Sequence, residues 1–190
     1  EFVEPGEREK LIDLLFPFAA LPAGRHLYAS GVGQRQFLFN CHTAGYDVNE
    51  PSAHFHFLFD ELMKGGGVGS NYSNRYLNEM PTLKSSVDVH VTCRKDHPNI
   101  TEFEELLSEH DSTKQGVTVV VDDSREGWVE SFATLIKRVY SESESGEFSI
   151  TFDVSKIRAR GTPLVTSGGI ACGPAPLVRM LLDTTKILNG

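Results

Sequence analysis

The sequence is poor in long apolar runs, in basic residues and in cysteine. No apolar run approaches the ~20 residues that a membrane-spanning helix needs, and no stretch has the pattern of a signal peptide. The 18 Lys and Arg residues are outnumbered by 26 Asp and Glu residues, which gives a formal net charge of −8. Proteins that bind nucleic acid usually present a basic surface to its phosphates. We therefore expect neither a membrane nor a nucleic acid as partner.

Only three cysteines are present, and Cys41, Cys93 and Cys172 are far apart in the sequence. An odd number at such spacing fits a reducing cytoplasm better than a disulfide scaffold. The first residue is not Met, and the last residues complete a helical pattern. We expect a segment of a longer polypeptide, although a processed or tagged protein would look the same.

What is present indicates an α/β architecture, because strand and helix patterns alternate along the chain. The predicted strands are 37–41, 86–92, 116–121 and 148–154, and Val87, Val89 and Val91 share one face of the second. The predicted helices are 5–16, a helix capped by Ser52, a short acidic helix 101–108, a helix after Ser124, and 174–188. The helix after Ser124 has the strongest apolar stripe, which consists of Trp128, Phe132, Leu135, Ile136 and Val139.

The stretch "FLFNCHTAGY" places Cys41 at the end of a short aromatic strand. A free cysteine in such a position is usually a small buried hydrophobe. It can equally be a reactive thiol. The residues alone leave both interpretations open.

The glycine run "KGGGVGSN" ends the second predicted helix. It has neither the spacing of a P-loop nor the complete dinucleotide fingerprint. Backbone amides without side chains can still bind an anion, and glycine also ends helices. Both readings stay open.

In "VVVDDSREGW" a strand ends in two acids and a serine, and a helix begins at once. Asp123 and Ser124 are typical helix caps. The junction of a strand end with a helix start is also a common nucleotide site, where an acid can bind ribose hydroxyls. Capping is the simpler interpretation, and nucleotide binding is the functional alternative.

The segment "SKIRARGTPLVTSGGIACGPAP" carries Lys156, Arg158 and Arg160, followed by a loop rich in glycine and hydroxyl groups. The basic residues are either solvated or available to phosphates, and the loop is a candidate phosphate cradle before a helix. The spacing of His90, Cys93 and His97 also suggests zinc, but no fourth ligand is evident, so we predict no metal site.

Taken together, five segments resemble the ribonucleotide reductases in both content and order. They are "LPAGRHLYASG", "NCHTAG", "FLFDELMKGGGVGSN", "DDSREGWVE" and "RARGTPLVTSGGIACGPAPL". The "DSREGW" and "RGTPL" pieces resemble the adenosylcobalamin-dependent (class II) branch, particularly the monomeric ribonucleoside-triphosphate reductases. The resemblance extends from Leu21 to Gly190.

This resemblance implies part of a ten-stranded α/β barrel with an inserted allosteric α/β segment. It predicts residues 1–86 as the N-terminal part of the barrel, 87–152 as the insertion, and 153–190 as the return to the barrel. It implies that Cys41 is one of a redox pair that reduces the ribose. The approximate match also makes Ser30, Asn40, Gly67 and Ser167 candidate substrate-pocket residues.

The resemblance further implies a deoxynucleoside triphosphate effector site, for which the candidates are Asp123, Ser124, Lys156 and Arg158. The expected partners are a ribonucleoside triphosphate substrate and thioredoxin as reductant, and the expected cofactor is adenosylcobalamin. The asparagine-x-cysteine-x-glutamate motif of the family's radical cysteine does not occur in this sequence. We therefore expect the cofactor to be bound mainly by other parts of a monomeric parent enzyme, and this segment alone to be inactive. The competing hypothesis is a non-catalytic, nucleotide-binding regulatory fragment.

Overall fold

The computed structural model describes residues 4–24, 40–108, 116–141, 146–164 and 169–190. The candidate substrate residues Ser30 and Ser167 lie outside these ranges. Within them the helices are α1 (Glu7–Leu15), α2 (Pro51–Met63), α3 (Asn74–Leu77), α4 (Arg125–Tyr140) and α5 (Ala175–Asn189). The strands are β1 (Cys41–Ala44), β2 (Gly67–Ser70), β3 (Ser85–Thr92), β4 (Gly116–Val120), β5 (Gly146–Asp153), β6 (Pro163–Leu164) and β7 (Gly169–Ile170).

The main sheet contains three parallel strands in the order β3–β5–β4. The central strand β5 has one apolar face and also buries Thr151 on its other face. Strands β3 and β4 pair with its two edges. The edge strand β3 alternates: Val87, Val89 and Val91 are buried, and the residues between them are more exposed. Each buried valine contributes about 1.5–3 kcal/mol of transfer free energy. The predictions for these two strands are confirmed.

Two helices complete this core. Leu135 and Val139 of α4 and Leu181 of α5 are fully buried in the same cluster as the valines of β3. The side chain of Asn189, at the end of α5, accepts a hydrogen bond from Val87 N (3.0 Å) and donates one to Val87 O (2.8 Å). The free backbone groups of an edge strand are therefore satisfied by a helix rather than by a fourth strand.

A second, two-stranded parallel sheet joins β1 to β2, in the register Cys41–Gly67 through Ala44–Ser70. Helix α2 connects these strands and packs against α4. Phe132 of α4 meets the rings of Phe55 and Phe59 edge-on, with centroids 6.2 and 5.6 Å apart. The apolar stripe of α4 thus packs against its own chain, on the sheet and on α2.

Several local predictions are wrong. Of the predicted strand 37–41, residues 37–39 lie outside the described ranges; the described strand, Cys41–Ala44, continues past the predicted end at Cys41. Ser52 does not cap α2; Pro51 occupies the first turn, Glu50 is the N-cap residue, and Ser52 is buried inside the helix. The predicted acidic helix 101–108 consists of two 3₁₀ turns, Ile100–Glu102 and Glu104–Leu106.

Helix α1 follows its predicted range but buries none of its residues in the described structure. None of the described helices combines the length and apolarity that crossing a membrane requires.

Candidate redox and effector sites

Cys41 lies at the start of β1 and its side chain is exposed. It stands opposite Gly67 in the parallel pair, and Gly67 N donates a hydrogen bond of 2.6 Å to Asn40 O. A Cβ atom on Gly67 would lie 3.3 Å from that carbonyl oxygen, so the absence of a side chain permits this close approach. The structure therefore brings together Cys41, Asn40 and Gly67. Because the thiol is exposed, Cys41 does not fill the core of the described structure.

The first glycines of "KGGGVGSN" end α2. Gly65 has a φ of +82°, and Gly65 N and Gly66 N donate to the carbonyl oxygens of Leu62 and Glu61. These two bonds form a Schellman motif, which glycine favours because its backbone reaches the left-handed region without strain. The helix-end interpretation is confirmed for these residues, and Gly67 begins β2.

Asp123 follows β4, and its carboxylate binds Arg158. Arg158 Nε donates to Asp123 Oδ2 at 2.7 Å, and Arg158 N donates to Oδ1 at 3.0 Å. Both side chains are about one-third exposed, at 36% and 32%. The structure thus unites two predicted effector residues in one charge-assisted pair that a ligand can still reach.

Ser124 is the N-cap residue of α4, and its Oγ accepts a hydrogen bond of 2.9 Å from Gly127 N. The capping interpretation is confirmed. A Cβ atom at Gly127 would lie 2.5 Å from Asp122 O, so only glycine permits this approach of strand end to helix. The sequence "DDSREG" therefore fixes the position of Asp123 relative to α4.

The other basic residues also have acidic partners. Lys156 Nζ donates to Asp122 Oδ1 at 2.9 Å, with both side chains largely exposed. Arg160 lies 3.6 Å from Glu102 and borders a cavity of about 700 Å³, which Cys172 and Arg179 also line. Lys156 and Arg158 thus pair with adjacent acids, Asp122 and Asp123.

The residues of the zinc hypothesis have other partners. His90 Nε2 lies 3.0 Å from Asp88 Oδ2. Buried His97 donates from Nε2 to Ile157 O at 2.8 Å and accepts from Asn99 N at Nδ1. Burial, and to a smaller extent the charge of Asp153, raise the pKa of the Cys93 thiol. Across the described ranges, no cluster of three or more His, Cys, Asp or Glu side chains could hold a metal ion.

The sequence patterns did not predict a set of charged side chains around α2. Glu61 is buried, although it carries a carboxylate in the last turn of a largely apolar helix. Lys64 Nζ lies within hydrogen-bond distance of both Asp60 and Glu61. The sequence signal for this set is "DELMK", in which Asp60 and Glu61 precede Lys64 by four and three residues. Residues at these spacings share a helix face.

Comparison with known families decides the identity. A model described as "B12-dependent ribonucleotide reductase, insertion domain" matches residues 88–188. The chain belongs to the B12-dependent ribonucleotide reductases. Among relatives of this reductase chain, a Mycobacterium phage D29 protein named as an adenosylcobalamin-dependent ribonucleoside-triphosphate reductase is 45% identical over 188 residues. That alignment covers 97% of this chain and 27% of the phage protein.

The adenosylcobalamin-dependent ribonucleoside-triphosphate reductase of Lactobacillus gasseri is 31% identical, over 96% of this chain and 29% of its own length. A crystal structure of a B-12 dependent (class II) ribonucleotide reductase superposes with a TM-score of 0.82 at 28% identity, over 96% of this chain and 29% of that one. This reductase chain therefore spans less than a third of the relatives' length. The predicted family and fold class are confirmed: the chain is a partial segment of the class II reductase barrel fold.

Proposed function

We propose that the full-length protein containing this chain reduces ribonucleoside triphosphates to 2′-deoxyribonucleoside triphosphates for DNA synthesis. The relatives that support this proposal carry the activity in their names, and each is more than three times as long as the aligned segment. The activity therefore belongs to the whole protein. This segment contributes one redox thiol and an effector site.

The observation that carries the proposal is the exposed Cys41 thiol beside the glycine strand β2. In the proposed reaction, Cys41 and a second cysteine outside this chain supply two electrons as the 2′-hydroxyl leaves as water. The two thiols become a disulfide, and a thioredoxin-type dithiol regenerates them by thiol–disulfide exchange.

Adenosylcobalamin supplies radical chemistry when it is bound. Two cavities of the described residues, of about 310 and 700 Å³, do not fit a corrinoid, because they are bordered largely by small and charged side chains such as Ala44, Asp47, Glu102 and Arg179. We assign cofactor binding to other parts of the full-length protein and derive no step through it.

The effector proposal places the sugar of a deoxynucleoside triphosphate at Asp123 and Ser124, and its phosphates at Lys156 and Arg158. It is supported by the one-third exposure of the Asp123–Arg158 pair and by the proximity of Lys156 to Asp122. We further propose a cytoplasmic, monomeric parent enzyme. Packing of the apolar stripe of α4 against its own chain supports the monomer, since that stripe is not left as an association surface.

Substitution of the redox thiol tests the function. In the full-length enzyme, Cys41→Ser should abolish multiple turnovers with a dithiol reductant, while radical formation stays measurable as hydrogen exchange into the cofactor. The matched control is Cys172→Ser, which removes another exposed thiol of this chain and should turn over normally. Sustained turnover by Cys41→Ser would contradict the assignment.

A further inference from the structure

A row of ionisable side chains connects the start of α4 with the residue that follows Cys41. Arg125 Nε lies 3.2 Å from Asp60 Oδ1, and Lys64 Nζ lies 2.5 Å from Asp60 Oδ2 and 2.9 Å from Glu61 Oε1. Glu61 Oε2 in turn lies 3.5 Å from His42 Nε2. We name these five residues the α2 charge chain.

Four of the five residues of the α2 charge chain are largely withdrawn from water, whereas Arg125 is 39% exposed. The side chains of Glu61, Lys64, His42 and Asp60 are 8%, 15%, 16% and 22% exposed. Burial opposes the charge of Lys64, but hydrogen bonds to Asp60 and Glu61 outweigh it and raise the pKa of Lys64 above its ordinary value. A buried charge that loses its partner is strongly destabilising. Each member therefore depends on its neighbours for its position.

The two ends of the chain meet the two proposed sites. Arg125 directly follows Ser124, so its backbone belongs to the first turn of α4, which lies against Asp122, the residue before Asp123. At the other end, His42 follows Cys41 on β1. The His42 ring also has little room, because a Cβ atom on Gly66 would lie 3.0 Å from His42 Cδ2.

We propose that Asp60 and Lys64 are positioning residues that couple the effector end of α4 to the Cys41 strand. The proposal rests on the proposed function, since it needs both sites. A ligand that moves the first turn of α4 also moves Arg125. This movement changes how strongly the Asp60 carboxylate interacts with Arg125 and with Lys64. Lys64 then moves relative to Glu61, and Glu61 relative to His42. Coupling of this kind is measurable as a free energy shared by two sites.

A second ion pair between the same helices supplies the control. His56 of α2 lies 3.1 Å from Glu130 of α4, and both side chains are exposed, at 43% and 68%. This pair also bridges α2 and α4, but neither of its residues belongs to the α2 charge chain. If simple docking of the two helices were sufficient, both bridges would matter equally.

The experiment uses the full-length enzyme and four variants: Asp60→Asn, Lys64→Met, Lys64→Arg and Glu130→Gln. The readouts are deoxynucleoside triphosphate binding by calorimetry and the ratio of kcat/KM with and without that effector. We expect Asp60→Asn and Lys64→Met to reduce the stimulation ratio at least fivefold, while effector affinity stays within about threefold of the wild type. Lys64→Arg should restore most of the ratio, and Glu130→Gln should keep it.

The outcomes separate this inference from the function on which it rests. A stimulation ratio within twofold of the wild type in both Asp60→Asn and Lys64→Met would overturn the coupling role alone. Equal losses in Glu130→Gln would also overturn it, in favour of simple helix docking. A wild-type enzyme that binds no effector would overturn the effector proposal together with this one. If Asp60→Asn does not fold, Arg125→Gln interrupts the chain at its more exposed end and is judged by the same ratio.

Discussion

The proposed effector site predicts a graded response to substitutions at Asp123. The carboxylate now accepts two hydrogen bonds from Arg158, at 2.7 and 3.0 Å, and both side chains remain about one-third exposed. A sugar hydroxyl that donates to this carboxylate forms a charge-assisted bond worth about 1.5–3 kcal/mol. Since 1.4 kcal/mol corresponds to a factor of about ten, Asp123→Ala should weaken effector binding roughly ten- to a hundredfold.

Two further substitutions sharpen this prediction. Asp123→Asn keeps a neutral acceptor, and a neutral hydrogen bond contributes about 0.5–1.5 kcal/mol, which is about 1–1.5 kcal/mol less than the charge-assisted bond. The loss of affinity should therefore be roughly five- to tenfold. Asp122→Ala removes a neighbouring carboxylate that pairs only with Lys156 in a largely exposed bridge. Such bridges contribute about 0–1 kcal/mol, and affinity should change little.

Calorimetric titration of the full-length enzyme with a deoxynucleoside triphosphate gives the affinities, and chemical denaturation gives the stability of each variant. An Asp123→Ala enzyme that is less stable but binds the effector with unchanged affinity would refute the effector role. Asp123 would then serve only to hold the segment around Arg158. A loss of affinity in Asp122→Ala as large as that in Asp123→Ala would point to a disturbed strand end rather than to a specific contact of Asp123.

Three shorter predictions concern the cap, a thiol and assembly. Ser124→Ala should lower the free energy of unfolding by about 1 kcal/mol in chemical denaturation. Ser124→Asp should restore that free energy, because a side-chain oxygen of either Ser or Asp at this position can accept the hydrogen bond from Gly127 N. Cys93 should react with iodoacetamide more slowly than exposed Cys41 at pH 7–8, because its raised pKa leaves less thiolate. Its reaction rate should increase above that pH range, and equal rates for the two thiols would contradict this. Light scattering should find the full-length enzyme monomeric, and a stable dimer held through α4 would refute the monomer proposal.

Local signals in the sequence were sufficient for the main sheet and for α4. The alternating valines of β3 and the alternating Phe148, Ile150 and Phe152 of β5 are typical of strands with one apolar face. The serine before an apolar stripe identified the start of α4. Pro51 offered a similar signal for α2, since proline is favoured in the first helical turn, and it was overlooked in favour of Ser52.

Other features depend on contacts that no local pattern contains. Phe103 lies within the predicted acidic helix, but it is fully buried and its φ of −149° interrupts the helical backbone. Tertiary burial therefore overrides helix propensity there. Likewise, the spacing of Asp60 and Lys64 is visible in the sequence, whereas Arg125, more than sixty residues away, becomes a partner only through the packing of α2 on α4.

The parallel sheet explains why the candidate effector residues meet at one edge. Val120 and Thr92 both pair with Asp153, so β3, β4 and β5 end level with one another. Asp153 Oδ1 accepts a hydrogen bond from Ser155 N, and Ser155 Oγ accepts one from Arg94 N, which ties the strand ends together. The acids after β4 and the basic residues after β5 therefore leave the sheet side by side. The residues at this edge are already ordered before a ligand binds, so little binding free energy is needed to order them. That free energy can instead shift the first turn of α4.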